Sequence, residues 1–264
     1  MAPDTDELLY EIKDKVATLT LNRPDKMNAF TGPMLDRWVW ALGEAQRDPD
    51  VNVVIVTGAG KAFCAGGDVG RMGQGDPTAL DNKNQLWEGI HRVPKTLEQM
   101  DKPVIAMING VAVGAGMGMS VMCDLRIAAD TARFSTGYVR VGLVPGDGDT
   151  YFLPRLTGTA KALELLWTAD FIEAPKALEL GIVNRVVPAD KLMEEALAVA
   201  EKIAGYSLPI VMMIKESINR AYESALAEGI LFERRLFHSQ FGLADQKEGM
   251  AAFLEKRKPN FKHR

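Results

Sequence analysis

The stretch Lys102–Asp130, KPVIAMINGVAVGAGMGMSVMCDLRIAAD, decides the fold. Pro103–Ile108 is a short apolar run that reads as a buried strand, and it breaks at Asn109-Gly110. Gly114-Ala115-Gly116-Met117-Gly118 opens a Met-rich apolar run to Met122, and a second apolar strand, Leu125–Ala129, follows Asp124. A buried strand, a glycine turn and a buried helix start make an anion-binding device. Small residues let a ligand approach the backbone, and the first amides of a helix have no internal partner. Such amides hold a phosphate, or the oxyanion that develops on a carbonyl. Two nucleotide motifs fail here. Gly114 and Gly116 begin a Gly-x-Gly-x-x-Gly pattern, but Met119 stands at the third glycine, and no Gly-x-x-x-x-Gly-Lys-Ser/Thr occurs. The other reading is a helix start packed tightly for its own sake.

Outward from this stretch the chain alternates strands and helices. Leu8–Lys13 and Val16–Leu21 read as strands around an Asp14-Lys15 turn. Thr31 is a helix cap with Pro33 in the first turn, and Met34, Leu35, Trp38, Val39 and Leu42 trace an apolar helix face ending near Arg47. Val51–Thr57 is a continuous apolar strand, followed by a second glycine-rich loop, Gly58 to Asp68. Residues 69–80 carry weak signals, and Leu80–Met100 reads as helix broken at Pro94. Phe134–Gly142 is short strand and loop, and Val144–Asp149 is a turn before a helix at Thr150–Leu156. Further helices are expected at Thr159–Trp167 and Ala174–Leu180, with a strand at Ile182–Val187. The pattern changes near residue 190. Residues 1–190 form the alternating core, and residues 191–264 are a helical layer with a basic tail.

One internal echo matters. Val53–Thr57 and Val104–Ile108 are each followed by a glycine loop. Two adjacent strands would each deliver a backbone N–H, and two converging donors are what an enolate or tetrahedral oxyanion needs.

Composition narrows the class. The chain has 264 residues, 47% hydrophobic and 25% charged, which fits one large domain or a core with an appendage. A net charge of −4 gives no footprint for nucleic acid. No apolar run approaches the roughly 20 residues that span a bilayer, so no membrane partner is expected. Met1–Glu7 is acidic and polar, unlike a signal peptide, and Cys64 and Cys123 read as buried thiols of a reducing compartment. Cytoplasmic localisation is the expectation. His91, His238 and His263 lack metal-ligand spacing, so no metal is expected.

Several blocks, in order, resemble the crotonase (enoyl-CoA hydratase/isomerase) superfamily over nearly the whole chain. They are Leu21–Ala29, Lys61–Asp68, Lys102–Gly110, Cys123-Asp124, Ile127–Asp130, Val141–Gly146 and the ending from Glu248 to Phe261. The resemblance implies an α/β fold, a spiral of repeated ββα units with a C-terminal helical trimerisation layer. It implies a homotrimer or dimer of trimers. The substrate it implies is an acyl-CoA or enoyl-CoA, with coenzyme A entering as part of the thioester and no tightly bound cofactor. The thioester oxygen would sit between the amides of Gly67 and Ala115, where Ala115 replaces the usual glycine. Lys26, Ala29, Ala65 and Asp68 map near the nucleotide and pantetheine of the coenzyme, and Lys61 or Arg23 would meet its 3′-phosphate.

The chain also departs from the family. Its hydratases use two glutamates about a water, and the matching positions are Gly118 and Tyr138. Asp147 and Asp149 lie in the turn where the isomerases carry a base and the aryl-CoA dehalogenases a nucleophile. Asp147, with Tyr138, is the expected proton-transfer group, and Asp149 reads as a helix-start carboxylate. His91 matches a dehalogenase histidine, and Arg140 is placed to meet a charged acyl group. The expected activity is that of an acyl-CoA lyase or isomerase working through an enolate. The alternatives are a hydrolytic dehalogenase or thioester hydrolase using Asp147, and a silent CoA-binding paralogue.

Overall fold

The structure, a computed structural model, describes residues 2–68, 70 and 78–263. Most of the weakly patterned stretch at 69–80 therefore lies outside the described residues. Strands β1 (Leu8–Lys13) and β2 (Val16–Leu21) pair antiparallel around Asp14 and Lys15. Helix α1 (Gly32–Arg47) begins where the sequence places it: Thr31 Oγ1 accepts from the Met34 amide at 3.1 Å. Its buried face is Met34, Leu35, Trp38, Ala41, Leu42 and Ala45, spaced three and four apart.

The next segments repeat a strand–strand–helix unit. β3 (Val53–Gly58) and β4 (Ala62–Cys64) lead to α2 (Ala79–Gln85) and α3 (Arg92–Glu98). β5 (Val104–Ile108) and β6 (Val111–Val113) lead to α4 (Ala115–Met122). β7 (Leu125–Ala129) and β8 (Arg133–Ser135) lead to α5 (Asp149–Thr157) and α6 (Thr159–Thr168). Then come β9 (Ile172–Glu173), α7 (Ala174–Glu179) and β10 (Arg185–Val187). The chain closes with α8 (Leu192–Ala204), α9 (Leu208–Ala221), α10 (Leu226–Gln240) and α11 (Ala244–Leu254).

The first strand of each unit enters a six-stranded sheet ordered β1-β2-β3-β5-β7-β10, and the second enters a four-stranded sheet ordered β4-β6-β8-β9. Pairing is parallel from β2 to β10, with Val54 opposite Val104 and Ile105 opposite Leu125. Parallel strands covered on both faces need continuous apolar sequence, and β5 is buried at every residue. Helix α8 covers the large sheet with Leu192, Ala196, Ala200 and Ala204. Helices α9 to α11 leave Ile214, Ile218, Ile230, Phe237 and Phe253 exposed. Among the described residues no single helix is long and apolar enough to cross a membrane.

The structure corrects four readings. The stretch from Gly58 to Asp68 and the break after Ile108 each contain a short strand, β4 and β6, where only loops were expected. Three residues between glycines are too few for alternation to register. The break in the helix before β5 is a wide π-helical turn at Leu86–Ile90, not Pro94. Pro94 lies in the first turn of α3, where a missing N–H leaves no bond unmade. Tyr138 begins a 3-10 turn, Tyr138–Val141, in a segment expected to be plain strand and loop. The strand expected at Ile182–Val187 is formed only at Arg185–Val187, because the Ile182 and Val183 amides fold back onto the Ala177 carbonyl.

Candidate active site

The site forms where the two glycine loops meet. Phe30 N–H donates to the Gly66 carbonyl at 2.8 Å, which fixes the loop before Gly67. Ala115 is the first residue of α4, so its amide has no partner within the helix. Neither the Gly67 nor the Ala115 amide meets an acceptor among the described residues. Gly66, at φ +84°, brings the loops together: a Cβ there would stand 3.1 Å from the Ala115 nitrogen and 2.9 Å from the Val113 carbonyl oxygen. Gly116 is equally constrained, because a Cβ would lie 2.2 Å from the Cys64 carbonyl oxygen.

Two asparagines hold this geometry, and sequence reasoning missed both. Asn109 Nδ2 donates to the Gly60 and Ala62 carbonyls at 3.0 and 3.1 Å, and its Oδ1 accepts from the Gly58 amide at 3.2 Å. It ties the end of β5 to the loop after β3. Asn28, fully buried at φ +56°, donates to the Ala62 and Phe63 carbonyls at 2.8 and 3.2 Å. The available signal was the Asn109-Gly110 pair, which reads as a strand break and conceals the side chain's second task.

The acidic cluster lies one turn along α4. Gly118 follows Ala115 by three residues, about 4.5 Å of helical rise, on nearly the same face. A Cβ at Gly118 would stand 2.7 Å from Asp149 Oδ2 and 3.2 Å from the Asp147 Cβ. The two aspartates thus approach the surface of α4 at Gly118. Tyr138 meets both: its hydroxyl oxygen is 3.0 Å from Asp147 Oδ2 and 2.8 Å from Asp149 Oδ2. Gly148, at φ +92°, is the turn that brings the two carboxylates to the same side.

Both carboxylates are buried, Asp147 at 4% and Asp149 at 0% exposure, and the Oδ1 of each has no partner among the described residues. Burial pushes the Asp149 carboxyl up to about 7; the Tyr138 hydrogen bond opposes this and the Asp147 charge adds to it. Burial also raises Asp147, against the Tyr138 hydrogen bond and the nearby His91. Burial and the two carboxylates hold Tyr138 as a neutral phenol. His91 Nε2 donates to the Gly146 carbonyl at 2.5 Å and so holds the turn that carries Asp147.

The residues expected at the coenzyme are placed as follows. Ala29 is buried and Ala65 half-buried beside the Gly67 loop, where the Ala65 amide donates to the Met27 carbonyl at 2.9 Å. Lys26 and Lys61 are exposed in the turns before α1 and β4. Arg23 is engaged within the protein: Nη1 donates to the Ala29 carbonyl at 2.7 Å and lies 3.5 Å from Asp68 Oδ2. Its Nε lies 3.4 Å from Glu7. Arg140 pairs instead with Asp170 at 3.8 Å on the exterior.

The chain matches the family model "Enoyl-CoA hydratase/isomerase" over residues 11–264. It is 43% identical over 257 residues to a probable enoyl-CoA hydratase of Mycobacterium bovis, covering 97% of this chain and 98% of the relative. A probable enoyl-CoA hydratase of Rhizobium meliloti is also 43% identical over 257 residues, with 97% and 98% covered. Among solved structures, an enoyl-CoA hydratase from Bacillus anthracis superposes with a TM-score of 0.93 at 35% identity, over 98% of this chain and 100% of that one. With ββα units in order and two glycine loops facing each other, the chain belongs to the enoyl-CoA hydratase/isomerase family, within the crotonase superfamily.

Proposed function

We propose that the protein is an acyl-CoA lyase or isomerase that forms an enolate from a CoA thioester. The observation that carries this reading is the juxtaposition of two unpartnered amides, Gly67 and Ala115, with a buried carboxylate cluster one helical turn away. A thioester oxygen received by the amides gains hydrogen bonds that strengthen as negative charge develops on it. The adjoining acyl carbons then face Asp147, whose free Oδ1 takes the proton. Lys61 and Lys26 meet the coenzyme's phosphates, Ala29 and Ala65 flank its pantetheine, and Asp68 holds Arg23 and the loop.

The exposed apolar residues of α9 to α11 support assembly as a homotrimer or dimer of trimers. Buried thiols at Cys64 and Cys123 fit a cytoplasmic protein.

The test is isotopic. A panel of acyl- and enoyl-CoA thioesters is incubated in deuterium oxide, and the products are read by mass spectrometry. Deuterium enters the acyl chain with the native enzyme, and Asp147→Asn abolishes incorporation while thioester binding remains. A covalent acyl group on Asp147 would establish the hydrolytic alternative. Binding with no exchange, hydration or hydrolysis would establish the silent paralogue.

A further inference from the structure

We propose that Asp147, Tyr138 and Asp149 form a one-proton carboxylate pair, in which the Tyr138 hydroxyl passes a single negative charge between two buried carboxylates. The inference rests on the enolate reading of the same site and specifies the charge state in which it works.

Tyr138 has one hydroxyl hydrogen, yet its oxygen is within hydrogen-bond distance of both Asp147 Oδ2 and Asp149 Oδ2. It donates to one of them. The other contact is a hydrogen bond only when that carboxyl carries a proton and donates to the phenol oxygen. Two ionised carboxylates would leave one facing lone pairs, in a setting where like charges already repel. Among the described residues no lysine or arginine bonds to either, and the basic group near them is His91, which lowers Asp147. The other groups facing the pair are His91, held on the Gly146 carbonyl, and the buried Cys64 thiol, which burial pushes up to about 12 and keeps neutral. Charge therefore rests on Asp147, on the His91 side, and the proton rests on the more deeply buried Asp149.

The relay balances. Asp149 gives its proton to the Tyr138 oxygen as the Tyr138 hydrogen passes to Asp147 Oδ2, which moves the charge to Asp149 and leaves the total at −1. In turnover the carbon-bound proton passes to the free Oδ1 of the charged carboxylate, and the C–H electron pair moves onto the thioester oxygen held by the amides. Asp149 acts here as a positioning residue, setting which carboxylate is the base.

Infrared spectroscopy of the free protein, with carboxyl-labelled aspartate, reads this directly. A neutral carboxylic-acid band is expected at pH 6, fading as the pH passes about 7, lost in Asp149→Asn and shifted in frequency in Tyr138→Phe. In the exchange assay Asp149→Asn is expected to lower the rate about 100-fold and change its pH profile, with thioester binding intact. Absence of a neutral-acid band at pH 6, or a band unchanged in both variants, would overturn the proposal. The infrared arm needs no substrate, so a panel without exchange would overturn the enolate reading and leave this one standing.

Discussion

Replacing Asp149 by asparagine removes one buried ionisable group and keeps the shape of the side chain. Burial holds the folded-state pKa at about 7, against 3.8 for an ordinary aspartate carboxyl. Below the lower value both folded and unfolded chains hold the proton, and Asp149 contributes no pH dependence. Between the two values only the folded chain holds it, so stability falls as pH rises. The slope is about 1.4 kcal/mol per pH unit, giving about 4 kcal/mol over the interval and roughly 3 kcal/mol between pH 5 and 7. Above about 7 the penalty is constant. Urea unfolding of the native protein and of Asp149→Asn at pH 5, 6, 7 and 8 reads the Asp147–Asp149 pair, because carboxylates away from the pair titrate alike in both. The variant is expected to gain on the native protein steadily from pH 5 to 7 and then to hold level. A difference that stays flat across that range, or moves the other way, refutes a buried proton at Asp149.

Other positions give independent outcomes. Gly118→Ala places a Cβ 2.7 Å from Asp149 Oδ2; a loss of about 1–3 kcal/mol in thermal or urea unfolding is expected. Asn109→Ala breaks the bonds to Gly58, Gly60 and Ala62, and should cost about 1–3 kcal/mol while slowing exchange, since the Gly67 loop loses its tie to β5. Lys61→Ala is expected to weaken CoA-thioester binding roughly two- to fivefold by calorimetry, and to leave binding of a pantetheine thioester without the 3′-phosphate unchanged.

Much of this was legible in the residues, and the reasons are specific. β3 and β5 are covered on both faces, so Val53–Val56 and Val104–Ile108 appear as unbroken apolar runs, while β7 is apolar apart from Arg126. β4 and β6 are as essential to the site, yet Ala62–Cys64 and Val111–Val113 are too short to show a period. The glycine loops read as an anion-binding device because small residues let a ligand approach the backbone. Gly118 and Tyr138 read as two missing carboxylates. Only three-dimensional placement shows the turn before α5 delivering two aspartates to the surface of Gly118. Asp149 was read as a helix-start charge because it is the first residue of α5, and its position along the chain gives no hint that its side chain turns inward to Tyr138. Asn28 and Asn109 were hidden for a related reason: their bonds run to backbone atoms more than 30 residues away.

In the proposed enolate chemistry, charge developing on a thioester oxygen is held at the Ala115 amide. Ala115→Pro removes that single donor, and proline is tolerated at the first position of a helix. The measurement is the rate of deuterium incorporation into the acyl chain of a bound CoA thioester, with native enzyme and variant compared at equal occupancy. A fall of about 100- to 1,000-fold is expected, with thioester binding retained. Incorporation at the native rate would contradict it.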